Sequence, residues 1–162
     1  TTTRPDGTPL AITTSEDETG IVWDLTTGDR LHILRGHSGP VSAVATTTRP
    51  DGTPLAITTS EDETGIVWDL TTGDRLHILR GHSGPVSTVA TTTRPDGTPL
   101  AITTSEDRSS ILWNPCTGQV VERLQLPYTG RIAAGTDAGF VIAYGENIAC
   151  FVWNPGPATG GL

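Results

Sequence analysis

The chain has 162 residues, enough for one domain with a proper core, and carries 18 acidic against 10 basic side chains for a formal charge of −8. That balance excludes a phosphate-binding surface, because nucleic-acid binders need a basic face to displace counterions, and no stretch approaches the roughly 18 apolar residues of a membrane span. No amino-terminal signal pattern is visible, and the first residue is Thr1 rather than Met, so the chain reads as a fragment of a longer cytoplasmic protein.

In chain order, the segment TTTRPDGTPLAITTSEDETGIVWDL begins at Thr1 and starts again at Thr46 and at Thr91, a period of 45 residues. The first two periods differ only at Ala43 against Thr88, and the third stays identical through Asp107 before it diverges. The chain therefore divides into repeat units 1–45, 46–90 and 91–126, a degenerate terminal repeat over 127–155, and a disordered tail over 156–162. A period in the forties marks repeat architectures whose units cannot bury their apolar faces alone. Near-identity of the copies indicates repeat amplification.

Each unit reads as β-structure. In the second unit, Pro54 to Ser60 alternates loosely around Leu55 and Ile57 and runs into a Thr-Thr pair suited to a pleated strand. Ile66-Val67-Trp68 is a short buried-strand run, Leu76 to Leu79 alternates again, and Val86 to Thr93 is largely β-branched. Between them stand RPDGTP, EDET, LTTGDR and GHSGP, each with the Gly, Pro, Asp or Ser that tight turns demand. Prolines and glycines interrupt every window of helical length, so the expected class is all-β.

The motifs also keep a fixed order. Gly36-His37 is followed by Pro50-Asp51-Gly52, Ser60-Glu61-Asp62 and Trp68-Asp69, and the series recurs as Gly81-His82, Pro95-Asp96-Gly97, Ser105-Glu106-Asp107 and Trp113-Asn114. This pattern resembles the WD-repeat (WD40) family, strongly over residues 1 to about 125 and weakly beyond. The resemblance implies a β-propeller of four-stranded antiparallel blades, partial here at about 3.5 to 4 blades. Family order gives three, four, four and three strands, fourteen in all. It also implies a hydrogen-bonded relay of His, Ser or Thr, Asp and Trp, carried over here as His37, Ser60, Asp62 and Trp68, and as His82, Ser105, Asp107 and Trp113. The first unit keeps Ser15, Asp17 and Trp23. Aligned on Trp153, the last unit has Tyr128 for His, Gly145 for Ser and Asn147 for Asp, as expected of a terminal capping repeat.

A Ser-His-Asp trio also invites a hydrolase reading. A catalytic triad occurs once, in a cleft beside an oxyanion hole, whereas this trio recurs with a Trp as fourth member; the structural reading is preferred and no catalytic residue is assigned. His32 and His77 fall in outermost strands a blade apart, without a Cys or carboxylate cluster at ligand spacing, so neither a metal nor another cofactor is expected. Cys116 and Cys150 are too few for a disulfide-built domain, and both read as reduced thiols.

Function then rests on the surface. The resemblance implies partner recruitment by rim loops, with Ser38, Glu61, Glu63, Ser83 and Glu106 as candidates on the Gly-His face. Arg108 and Tyr128 join them because they depart from the repeat; solvated turns and a simple cap are the plain alternatives. An open arc of blades leaves its flanks wet, which predicts either self-association or completion by upstream blades. Two chains would close a ring of eight blades, or seven if the ends merge; the other expected partner is an unidentified protein. The alternative is a sensor or regulatory region of a larger bacterial signalling protein, a kinase or nucleotide-binding ATPase. A further alternative is an amplified fragment with no function of its own.

Overall fold

Turn chemistry cuts the chain into short strands. In each RPDGTP turn the Asp carboxylate accepts the N–H of the Thr two residues on, as Asp51 does from Thr53 at 2.9 Å, and Gly52 sits at φ 88°, a left-handed conformation that suits glycine. The computed structural model describes residues 1–136, 139–144 and 146–152, and among the described residues every regular element is a strand. Blade 1 holds β1 (Thr2–Thr3), β2 (Pro9–Thr14), β3 (Thr19–Asp24) and β4 (Arg30–Arg35). Blade 2 holds β5 (Val41–Thr48), β6 (Pro54–Ser60), β7 (Gly65–Asp69) and β8 (Arg75–Leu79). Blade 3 holds β9 (Val86–Thr93), β10 (Pro99–Ser105), β11 (Ser109–Asn114) and β12 (Gln119–Gln125). Blade 4 holds β13 (Gly130–Thr136), β14 (Gly139–Tyr144) and β15 (Asn147–Val152).

Strands follow chain order within every sheet and all pairs are antiparallel. Three four-stranded sheets and one of three strands make a partial β-propeller. The described strands number fifteen rather than fourteen, because even the stub Thr2–Thr3 pairs with Leu10 and Pro9. A register shift recurs immediately before each of the three described Trp residues, between Val22 and Trp23, Val67 and Trp68, and Leu112 and Trp113. The extra residue lies on the outer strand each time, at Leu31, Leu76 and Val121, so in blades 1 to 3 the outer strand bends beside the indole. The predicted outline of the last unit falls partly outside the described residues, including Gly145, Trp153 and the tail 156–162.

The core lies between blades rather than within them. Leu10, Val22 and Leu34 of blade 1 pack with Ala56, Ile66, Trp68 and Leu70 of blade 2. Leu55, Ile57, Val67 and Leu79, on the opposite face of blade 2, meet Ala101, Ile111 and Trp113 of blade 3. Leu100, Ile102, Leu112 and Leu126 then meet Phe140 and Ile142 of blade 4. Both faces of β6 are covered, and all seven of its residues are buried, which explains why its sequence alternates only loosely.

At the inner end the strands are tied in register. Thr46 Oγ1 donates to the Thr1 carbonyl at 3.2 Å, and Thr91 Oγ1 donates to the Thr46 carbonyl at 2.8 Å, one repeat apart each time. In blade 4 Gly135 approaches the Thr91 carbonyl so closely that a Cβ there would collide with it. The inner strands and Gly135 line a cavity of about 370 Å³ walled by Thr46 to Thr48 and Thr91 to Thr93.

Identical residues in different blades allow a direct test of inter-blade burial. Leu70 is fully buried against blade 1, whereas its counterpart Leu25 is 52% exposed. In dilute protein, Leu70→Ala should cost roughly 2–5 kcal/mol by denaturant unfolding. Leu25→Ala should stay within about 0.5 kcal/mol.

Candidate functional site

The polar site is assembled from one loop, one turn and two paired strands. His37 arrives on the loop between β4 and β5, Thr58 lies in β6, Asp62 in the turn after it, and Trp68 in β7. Trp68 Nε1 donates to Thr58 Oγ1 at 2.8 Å, and the same hydroxyl is 2.8 Å from His37 Nε2. His37 Nδ1 lies 2.9 Å from Asp62 Oδ2. An ionised carboxylate can only accept, so Nδ1 carries the proton and Nε2 accepts from Thr58. The chain therefore runs in one direction, from indole to hydroxyl to imidazole to carboxylate.

Blade 3 repeats it: Trp113 Nε1 donates to Thr103 Oγ1 at 2.9 Å, Thr103 Oγ1 lies 2.8 Å from His82 Nε2, and His82 Nδ1 lies 3.1 Å from Asp107 Oδ2. In blade 1, Trp23 Nε1 donates to Thr13 Oγ1 at 2.9 Å, and Asp17 accepts from Thr19.

The hydroxyl between Trp and His is a correction to the sequence-based expectation. It belongs to Thr58 and Thr103, not to Ser60 and Ser105, and in blade 1 the Trp23 indole likewise donates to Thr13 rather than Ser15. Ser60 Oγ donates to the Gly39 carbonyl at 2.9 Å and accepts from the Asp62 N–H at 3.1 Å; Ser105 does the same with Gly84 and Asp107. Ser15 Oγ accepts from the Asp17 N–H. The missed signal is period 2. Trp68 pairs with Ala56, so the residues on its face of β6 are Ala56, Thr58 and Ser60, and the nearest hydroxyl is that of Thr58. The Ser-His-Asp trio is thus no nucleophile–base–orienter series, because the Ser60 proton points at a backbone carbonyl and His37 turns to Thr58.

Thr64 is a second residue the sequence reading passed over. Its hydroxyl donates to Asp62 Oδ1 at 2.6 Å and its N–H at 3.0 Å, while the Ser38 N–H donates to Oδ2 at 2.9 Å. The resulting turn holds Glu63 at φ 68°, and the same left-handed conformation recurs at Glu18 (69°) and Arg108 (63°). Replacement of Glu63 by Arg108 in the third copy therefore changes charge without changing backbone.

Burial lowers the pKa of His37 below its ordinary 6.5, outweighing the pull of Asp62, and burial does the same to His82 against Asp107. The two contacts are hydrogen bonds from neutral imidazoles rather than ion pairs. Burial pushes Asp107 upward, but donation by the Ser83 N–H, by the hydroxyl and N–H of Ser109, and the presence of His82 outweigh it, and the carboxyl falls to about 2. Asp62 is lowered by the corresponding set against the same penalty.

Of the rim candidates, Ser38, Glu61, Glu63, Ser83, Glu106 and Arg108 are all exposed on the turns that frame this relay. Tyr128, aligned with the relay histidines, instead stands 60% exposed, while His37 and His82 are 8% and 9% exposed. Asn147, aligned with Asp, is exposed at the start of β15, opposite Tyr144. His32 and His77 lie in β4 and β8; His77 Nε2 is 3.1 Å from the Cys116 carbonyl, packing blade 2 onto the Gly118 turn of blade 3. Cys116 is a free thiol, and the Cys150 side chain lies outside the described residues. Among the described residues no group of three or more His, Cys, Asp or Glu is placed to hold a metal ion, and no helix is long and apolar enough to cross a membrane.

The WD domain, G-beta repeat family profile matches residues 28–69 and 73–114. The chain belongs to the WD-repeat family. Each matched stretch opens on the turn before an outer strand, continues through the Gly-His loop, and ends one residue after the Trp that receives it, so the WD-repeat unit straddles two blades. The search of curated proteins returned no match.

Two measurements probe the relay. Thr58→Val keeps the shape but strands the Trp68 N–H and the His37 Nε2, and should cost roughly 2–4 kcal/mol by chemical denaturation, against about 1–3 kcal/mol for Ser60→Ala. Because the folded histidines titrate below the unfolded value, the unfolded chain binds more protons in that interval. The stability they contribute is full above 6.5 and is lost as pH falls through their folded values. The melting temperature should therefore drop between about pH 7.5 and 5, and this slope should flatten in the His37→Gln, His82→Gln double variant.

Proposed function

We propose that the chain is a non-enzymatic protein-binding scaffold of WD-repeat blades that self-associates to close a propeller ring of about eight blades, or seven if end blades merge. The observation that carries this reading is the outward face of blade 1. It presents Ala11, Ile21, Trp23, Leu25 and Ile33, the same residue types as Ala56, Ile66, Trp68, Leu70 and Ile78 one repeat later. In blade 2, Ala56, Ile66, Trp68 and Leu70 are at most 2% exposed because blade 1 covers them; in blade 1, Leu25 and Ile33 are 52% and 36% exposed. The face is built to be covered by a blade, and four blades per chain make half of an eight-bladed ring.

Partner recruitment falls to the rim. Ser38 and Glu61 recur as Ser83 and Glu106 at one-repeat spacing, so a ligand with matching repeats would gain avidity from successive blades. Arg108 and Tyr128 give the third and fourth blades a rim of different charge and shape. The proposed location is the cytoplasm, which the free thiol of Cys116 supports.

Light scattering across a dilution series tests the ring. A mass of twice the chain that reverts to one chain in Leu25→Glu supports closure through the blade 1 face. A monomer at every concentration contradicts it.

A further inference from the structure

We propose that the side of blade 3 that faces blade 4 is a docking surface keyed to blade 4, which a blade of the repeat sequence, from this chain or from a second copy, does not fit. The joints between blades 1 and 2 and between blades 2 and 3 are built alike. In each, a glycine lies just past an outer strand, and the indole of the next blade fills the space beside it. A Cβ on Gly36 would lie 3.3 Å from Trp68 Cη2, and one on Gly81 would lie 3.5 Å from Trp113 Cη2. The inner strand that follows opens on a buried valine, Val41 in β5 and Val86 in β9.

The joint between blades 3 and 4 reverses both sizes. One repeat after Gly81 stands Leu126, buried and packed with Phe140 and Ile142, and the first residue of β13 is Gly130. A Cβ on Gly130 would lie 2.6 Å from Leu126 Cδ1, 3.2 Å from Ile142 Cγ2 and 3.4 Å from Thr104 Cγ2. Leucine and glycine thus replace glycine and valine, and the leucine occupies the volume that a side chain opening β13 would need. Close packing makes the exchange selective. A blade that opens on valine would overlap Leu126, whereas blade 4 set against Gly81 would leave a void. At the inner end, a Thr hydroxyl bonds the carbonyl one repeat back in the two earlier joints, but in this one Gly135 comes too close to the Thr91 carbonyl for any Cβ.

Differences between the sequence copies fall on the same face. Thr104, whose Cγ2 meets Gly130, has Thr88 of β9 and Ser110 of β11 as its cross-strand neighbours, and Thr88 Oγ1 lies 3.0 Å from Thr104 Oγ1. In blade 2 the same places hold Ala43, Thr59 and Gly65, and Thr59 Oγ1 is buried with no hydrogen-bond partner among the described residues. The one difference between the first two periods is therefore a residue of the face toward blade 4, and the divergence after Asp107 brings Ser110 and Leu126 to it. Blades 1 and 2 share one sequence because each is followed by a repeat blade; blade 3 departs from it where it meets blade 4. The joint lies within the chain and does not depend on ring closure.

Amide hydrogen exchange of the full chain at Phe140 and Ile142, with Ile57 and Val67 of blade 2 as the reference, tests the fit. Gly130→Val alone and Leu126→Gly alone should each speed exchange at Phe140 and Ile142 by roughly tenfold or more, with far less change at Ile57 and Val67. Added to the Leu126→Gly chain, Gly130→Val should reverse its sign and recover protection, since glycine before valine is the pairing of the two earlier joints. Gly130→Ala adds only the Cβ that meets Leu126 and reads the same clash if the valine variant does not fold. Unchanged exchange in both Gly130 variants, or losses that simply add in the double variant, would overturn the proposal.

Discussion

A blade of this protein has two apolar faces and no interior of its own. Everything else in the structure follows from the need to keep both faces dry, which only neighbouring blades can do. The three described clusters each draw residues from two consecutive sheets. The inner Thr hydroxyls fix the spacing of those sheets by bonding to a carbonyl one repeat away. Stability is therefore a property of interfaces between repeats, and a sequence repeated almost without change takes different exposures at different places in the arc.

The polar relay solves the problem that stacking creates. A bulky indole fills the space between blades, but its N–H becomes buried and needs an acceptor. Thr58 supplies one and passes the demand to His37, and the carboxylate of Asp62 ends the series at the rim, where it is partly solvated and also organises the turn through Thr64 and Ser38. A neutral imidazole suits the middle position because it donates from one nitrogen and accepts at the other. The same turn that completes the relay projects Glu61 and Glu63 outward, so the architecture that pins a blade also presents its rim.

Much of the fold was legible because the sequence repeats. One period showed where turns fall, and three periods showed that the unit stacks. The Pro54–Ser60, Val86–Thr93 and Trp68 regions are strands where the pattern placed them. The relay was only partly legible. His37, Asp62 and Trp68 announce themselves by spacing, but choosing between Thr58 and Ser60 needs the cross-strand register of β6 against β7. Tyr128 shows the opposite limit. Counting back from a Trp assigns it a relay position, yet without the Gly-His loop around it the ring stays in solvent. Inter-blade details such as His77 against the Gly118 turn had no sequence signal, because the partners are 41 positions apart and belong to different units.

Amide hydrogen exchange on dilute protein tests the stacking account most directly. Protection should be greatest at Ile57, Val67 and Ile102, whose blades have a neighbour on either side, and should fall in β2 and β3 of blade 1 despite their near-identical sequence. Equal protection at Ile12 and Ile57 would show that a blade is stable by itself, and would contradict the dependence on neighbours from which this structure has been explained.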